Sequence, residues 1–362
     1  MSFAVLGMGT AIPEHSITQQ QAALSAAKFA YADAMQEQYL QRLYRLTGVE
    51  QRRSVLLGAG PNDSPTIDFY EDAKNADDTG PAVAERMRRY EIEAPRLSEQ
   101  AAREALNAAC AQPAEITHIV VVTCSGFMSP GVDVHLMDTL GLKPTVQRTQ
   151  VGFMGCHGAI NGMRVAKGYV DADPAAVVLL VAVELCSLHF QYGWDPERNV
   201  ANALFADGAA AMVVGGAPDR AGVWRGTHTG SCVLPDSRDA MSWRIRNHGF
   251  VMTLSDEVPQ LIRTHLRPWL EGWLEQRNLS VDTVSHWAVH PGGPAILRAV
   301  QQTLGIGRAE LAISWDILRK FGNMSSPTVL FILQEMISRA AEGPCVALGF
   351  GPGLVAEAFL FE

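Results

Sequence analysis

Short apolar runs alternate with amphipathic stretches along most of this chain. Five runs, at 116–123, 176–183, 210–214, 284–289 and 345–348, are rich in Val, Ile or Ala, the pattern of strands buried on both faces. Between them a helical period runs through 97–109, 159–168, 257–277, 294–303 and 327–341. Strands alternating with helices predict an α/β architecture with parallel strands. The start, MSFAVLGMGTAIP, reads as a strand entering a turn; it has no basic leader, so no signal peptide is expected. The longest apolar run, Ala175 to Val183, stops at Glu184 and is too short to span a bilayer. Residues 58–82 are turn-rich and acidic and read as a surface excursion.

A faint internal repeat organises these elements. Ile116-Thr-His-Ile-Val-Val-Val-Thr is echoed by Val284-Ser-His-Trp-Ala-Val-His, and Thr139-Leu-Gly-Leu by Thr303-Leu-Gly-Ile. The same shift carries Cys156 into Phe321-Gly-Asn323-Met-Ser-Ser-Pro. Two similar βα halves are therefore expected, residues 1–218 and 219–362, with the boundary near 215–222 and with Cys156 and Asn323 in corresponding places.

Composition narrows the class of function. The 362 residues are 48% hydrophobic and 19% charged, ample for a globular core. A net charge of −9 gives no basic field for nucleic acid or an anionic membrane. The six cysteines are scattered without a CxxC pair, which argues against a zinc site or disulfide framework and fits a reducing cytoplasm.

Gly152-Phe-Met-Gly-Cys156-His-Gly-Ala sets one thiol just before a helical pattern. There the helix dipole is expected to lower its pKa and favour the thiolate; the alternative is a buried structural Cys. In Val289-His290-Pro-Gly-Gly-Pro a buried strand breaks at a His, a place where α/β folds concentrate catalytic groups. Local backbone hydrogen bonding is the plainer reading of that His alone. Asn323 is a reactive-site amide or an ordinary helix cap. His157 is a competing base, although neighbours along a helix do not face each other. The loop Gly349-Phe-Gly351-Pro352-Gly353-Leu offers backbone N–H groups to an oxyanion or simply makes a tight turn. Gly7-Met-Gly-Thr lacks the third Gly and the acidic partner of a dinucleotide motif. Arg42, Arg45, Arg52 and Arg53 form the one basic cluster near the N-terminus.

Taken together, Gly9-Thr-Ala-Ile-Pro, Thr47-Gly-Val-Glu-Gln-Arg-Arg, Ala203-Leu-Phe-Ala-Asp-Gly, His290-Pro-Gly-Gly, Gly322-Asn-Met-Ser-Ser and Gly349-Phe-Gly-Pro-Gly resemble the type III polyketide synthases, the chalcone and stilbene synthase-like branch of the thiolase-fold condensing enzymes. The resemblance implies a layered αβαβα core made of two pseudo-duplicated halves. It implies Cys156 as acyl-accepting nucleophile, with His290 and Asn323 completing the site. Phe205 and Met252 fall at gatekeeper positions, Cys124, His189 and Ser325 at positions that shape the cavity, and Arg42 and Arg45 near the residues that hold CoA phosphates. Acyl-CoA and malonyl-CoA are the implied substrates of a cytoplasmic homodimer, with no metal or further cofactor. His157, Met252 and Ser129 depart from the plant pattern, so a flavonoid product does not follow.

The implied chemistry loads a starter acyl group on Cys156, decarboxylates malonyl-CoA to an enolate and joins the two, with repeated extension and then cyclisation or release as a pyrone, resorcinol or related product. Single condensation on a carrier-bound malonyl group, as in ketoacyl-carrier-protein synthase III, is the nearest rival. A catalytically silent acyl-binding subunit of the same fold is the non-enzymatic one.

Overall fold

The computed structural model describes residues 3–60, 65–216 and 224–362. In the N-terminal part, β1 (Phe3–Ala11) is followed by β2 (Ser16–Thr18), α1 (Gln19–Phe29), α2 (Ala34–Leu46), β3 (Gln51–Arg53), β4 (Leu57–Ala59) and β5 (Pro65–Ile67). Then come α3 (Val83–Ala109), β6 (His118–Thr123), α4 (Val132–Leu140), β7 (Gln147–Gly152), α5 (Gly158–Ala172), β8 (Val177–Leu185), α6 (Pro196–Leu204) and β9 (Asp207–Gly216). The remainder runs through β10 (Arg225–Val233), β11 (Met241–Arg246), β12 (Gly249–Leu254), α7 (Val258–Glu275), β13 (His286–Val289), α8 (Pro294–Leu304), α9 (Ala312–Phe321), α10 (Pro327–Ser338), β14 (Cys345–Gly351) and β15 (Val355–Phe361).

Nine strands form one sheet in the order β13-β14-β15-β10-β1-β9-β8-β6-β7. It is mixed rather than all-parallel. β6 runs parallel to β7 and β8, and β13 parallel to β14, but β8–β9, β1–β9, β14–β15 and β10–β15 are antiparallel. The repeat survives this correction: β6-β8-β9-β1 is matched, strand for strand and in direction, by β13-β14-β15-β10. The expected boundary between the halves lies largely outside the described residues.

Period-two burial builds the layers. Alternate residues of β6 and β8 (Val120, Val122, Leu180, Ala182) and of β14 and β15 (Ala347, Phe359, Phe361) share one core with α5 and α10. The opposite faces pack on α3 and α4 in one half and on α7 and α8 in the other. The result is the five-layered, thiolase-like αβαβα arrangement. α10 is apolar almost all round, from Thr328 to Leu333, as a helix in the middle layer must be.

The Gly7-Met-Gly segment has a packing role. A Cβ at Gly7 would lie 2.2 Å from Ala109 N, and one at Gly9 2.4 Å from Ala101 O, so these glycines let α3 approach β1. Residues 58–82 are more than an excursion, because Ile67 and Tyr70 wall the internal cavity.

Candidate active site

Each middle-layer helix starts where a chemically capable side chain sits. Cys156 lies two residues before α5 and Asn323 four residues before α10. Gly155 makes the bend ahead of Cys156. Its φ is +81°, and a Cβ there would stand 2.3 Å from Pro352 Cδ, so the C-terminal Gly-Pro-Gly loop packs directly under the thiol segment.

The Asn323 loop is fixed by backbone. Asn323 N donates to Leu204 O (2.9 Å) and Ala206 N donates to Asn323 O (2.9 Å), a bridge that sets Asn323 beside Phe205. The Asn323 side chain donates through Nδ2 to Gly292 O (3.2 Å) and accepts through Oδ1 from Ser325 N (2.7 Å). The first bond ties it to the turn that carries His290. Ser325 is held in the left-handed region, φ +57°, a costly conformation for a non-glycine residue and one that concentrates at functional sites.

Cys156 is 6% exposed and His290 1%. Burial pushes the Cys156 thiol up to about 11; hydrogen bonding from Ser325 and Asn323 favours the thiolate, while the Glu184 carboxylate opposes it. The lowering expected at a helix N-terminus is not seen: loss of water raises the thiol by more than the hydrogen bonds that favour the thiolate lower it. His290 is pushed down to about 3 by burial, with a smaller contribution from His157. Neither His290 ring nitrogen has a hydrogen-bond partner, so no hydrogen bond joins it to Cys156. Burial thus favours the uncharged thiol and the uncharged imidazole.

Glu184, the residue that ends the long apolar run, is fully buried behind the thiol. It accepts from Cys124 N (3.0 Å), Cys124 Sγ (3.2 Å), Ser125 Oγ (2.7 Å) and Ser326 Oγ (2.7 Å). It therefore fastens the β6 end to the Asn323 loop. Burial raises its pKa against these donors. Sequence reasoning passed over Glu184, although a carboxylate closing a wholly apolar strand was the signal.

The thiol opens into a cavity that reaches solvent. Cys124, His189, Phe205, Met252 and Ser325 all line it, as does Pro352; His290, Asn323, Gly351 and Gly353 are not among the lining residues. The His189 ring is wedged between Ser125 O (2.7 Å from Nε2) and Phe250 N, which donates to Nδ1 (3.0 Å). It stacks on Phe250 at 4.1 Å, and burial holds its pKa near 3. Behind it, buried Arg86 donates to Leu188 O (2.6 Å), Phe190 O (2.9 Å) and Tyr70 Oη (2.9 Å), fixing the 186–190 turn. Trp243 and Phe250, from the β11–β12 hairpin, complete the wall. Nothing in the sequence marked them.

From the thiol the cavity extends between α1 and the β4–β5 hairpin, past Ala22, Ala26, Phe29, Leu57, Ile67 and Tyr70. Arg52, Arg53 and Arg198 also line it. Arg52 is engaged with Asn202 O (2.6 Å) and Phe205 O (3.0 Å), and Arg198 with Asp195. Arg42 and Arg45 stand exposed on α2 and do not line the cavity.

The sequence profile of chalcone and stilbene synthases matches across both halves, its N-terminal domain at residues 2–218 and its C-terminal domain at 228–362. The chain belongs to the chalcone and stilbene synthase family. It is a type III polyketide synthase, a CoA-dependent condensing enzyme. It is 31% identical to the alpha-pyrone synthesis polyketide synthase-like Pks18 of Mycobacterium tuberculosis, over 98% of this chain and 90% of that protein. Its fold is similar to the crystal structure of PKS-I from the brown alga Ectocarpus siliculosus, with a TM-score of 0.91, 30% identity, and 100% and 98% of the two chains covered. It is similar also to the C-terminal type III polyketide synthase domain of Steely1, a type I/III hybrid from Dictyostelium, with a TM-score of 0.89, 27% identity, and 100% and 99% covered. Among the described residues no helix is long and apolar enough to cross a membrane.

Proposed function

We propose that this type III polyketide synthase loads an apolar fatty acyl group from acyl-CoA onto Cys156, extends it with malonyl-CoA and releases a pyrone. The observation that carries the reading is the cavity beyond the thiol. Its arm past Ala26, Phe29, Leu57 and Ile67 matches an alkyl chain and offers little to a polar or charged starter. The relative named for alpha-pyrone synthesis supports lactone release.

In this mechanism the Cys156 proton passes to His290 as sulfur attacks the starter thioester, and CoA leaves as its thiol. Burial leaves the His290 imidazole uncharged, with a lone pair to receive that proton, and also makes it a weak base, so the proton moves together with the attack of sulfur rather than ahead of it. Malonyl-CoA then loses CO2. The electron pair of the broken C–C bond forms the thioester enolate, whose oxygen takes a hydrogen bond from Asn323 Nδ2. The enolate carbon attacks the acyl carbon, the C–S bond to Cys156 breaks, and the lengthened chain is held as a β-ketoacyl-CoA. An amide suits position 323 better than a carboxylate, which would repel the enolate. No cofactor beyond the CoA thioesters is required. The enzyme works as a cytoplasmic homodimer, a reading supported by Phe127 (44% exposed) and Met154 (38%), apolar side chains at the surface close to the thiol segment.

The test is mass spectrometry of products from malonyl-CoA with acetyl-, medium-chain, long-chain and aromatic acyl-CoAs. Products should be heavier than the long-chain starters by several two-carbon units and absent with Cys156→Ala. Asn323→Ala should lose roughly 10²–10³ in rate, as when one oxyanion donor is removed. Exclusive use of aromatic starters, or a single extension requiring malonyl-carrier protein, would overturn the proposal.

A further inference from the structure

His157 follows the nucleophile, and the mechanism above leaves it idle. Its geometry is unusual. The ring is 2% exposed and lies over β14, where a Cβ on Gly349 would stand 3.2 Å from His157 Cβ and one on Gly351 2.4 Å from its Cδ2 and 2.6 Å from its Nε2. Two glycines thus clear the space this imidazole fills. His290 leaves the same strand pair, its backbone N donating to Leu348 O (2.8 Å).

His157 Nδ1 sits 2.7 Å from Asn161 Oδ1. With the Asn161 amide turned so that Oδ1 faces the ring, Nδ1 carries the proton and Nε2 presents a bare lone pair. That Nε2 has no partner, and neither does Nδ1 or Nε2 of His290. Three of the four imidazole nitrogens in this buried region are therefore unsatisfied, and a buried polar group left so is costly. A buried water needs two to four polar partners, and these nitrogens supply them.

We propose that His157 is a positioning residue for the catalytic base, its Nε2 accepting, through one buried water, the N–H of His290 and so fixing the His290 tautomer that takes the Cys156 proton. The inference rests on the roles given above to Cys156 and His290. Asn323 does not fill this place, since neither His290 nitrogen is bonded to it and its Oδ1 accepts from Ser325 N. A base oriented by a third group is the general logic of nucleophile–base–orienter sites. When the proton leaves Cys156 Sγ for the free nitrogen of His290, the other N–H of the imidazolium donates to the water, which donates to His157 Nε2. No charge moves beyond His290. The charged groups facing His157 are Glu357 and Arg164, and these pair with each other. Burial lowers the pKa of His157, keeping its lone pair available at neutral pH.

The experiment compares His157→Phe, which fills the space without a lone pair, with His157→Gln, which restores a polar partner. Both are measured for kcat, for KM toward the starter and malonyl-CoA, and for iodoacetamide alkylation of Cys156 near neutral pH, with Cys156→Ala alongside. His157→Phe should lose about tenfold or more in kcat and in alkylation rate, well short of the ~10⁴ seen when a charged orienter is removed. Its KM values should stay within about twofold, the neutral orienter acting on chemistry rather than on binding. His157→Gln should recover most of the loss. Wild-type kcat and alkylation in His157→Phe, or no recovery in His157→Gln, would overturn the proposal. Should His157→Phe not fold, Asn161→Ala decides: it leaves the ring and removes the acceptor that fixes its tautomer, so the same slowing is expected, and an unchanged rate overturns the idea. Full activity in Cys156→Ala would instead sink the underlying mechanism.

Discussion

Replacing His290 with Gln should change how the fold responds to acid, apart from its effect on catalysis. An ordinary imidazole titrates near 6.5, and burial in the folded enzyme holds that of His290 near 3. The folded state therefore refuses a proton that the unfolded chain takes up. Stability from this group is complete above about pH 6.5, falls as the pH drops toward 3, and is flat below. At pH 5 the unfolded chain is favoured by about 1.5 pH units at ~1.36 kcal/mol each, roughly 2 kcal/mol. Urea unfolding of the wild type and of His290→Gln, each near pH 7 and pH 5, measures it. The wild type should lose about 2 kcal/mol more than the variant between the two pH values, whatever the variant's stability at pH 7. His189, also near 3, is unchanged in both proteins and cancels. Equal losses in the two proteins would refute the reasoning and mean that His290 titrates normally in the fold.

Two further outcomes follow from the site. Glu184→Ala strands the hydroxyls of Ser125 and Ser326 and the N–H of Cys124. At about 1–3 kcal/mol for each group left unpaired, stability by denaturant should fall by about 3 kcal/mol or more, and a loss under about 1 kcal/mol would show that the carboxylate is not holding these donors. Ala26→Phe narrows the apolar arm between α1 and the β4–β5 hairpin; products from long-chain starters should drop at least about tenfold while those from acetyl-CoA persist, and unchanged chain-length preference would place the alkyl chain elsewhere.

Much of the architecture was legible because burial on both faces writes itself as unbroken apolar runs, and all five runs proved to be sheet strands. Direction did not show. Whether a strand runs parallel or antiparallel depends on how its connection crosses the sheet, and β8–β9 and β14–β15 turned out antiparallel. Cys156, His290 and Asn323 stood out because each sits where a regular pattern breaks. Glu184 did not, and His157 read only as a competing base, since their surroundings form only once two distant segments meet. Trp243 and Phe250 reach the cavity from a hairpin whose docking no local pattern encodes.

The bridge between Asn323 and the Leu204–Ala206 segment also bears on synthesis at the ribosome. The thiol-bearing half emerges first, yet the loop carrying Asn323 and the strand leading to His290 are among the later segments translated. Until they dock, Glu184 lacks its Ser326 donor and the far wall of the reaction chamber does not exist. A nascent chain therefore holds Cys156 without the Asn323 loop beside Phe205 until the segment carrying that loop has been made.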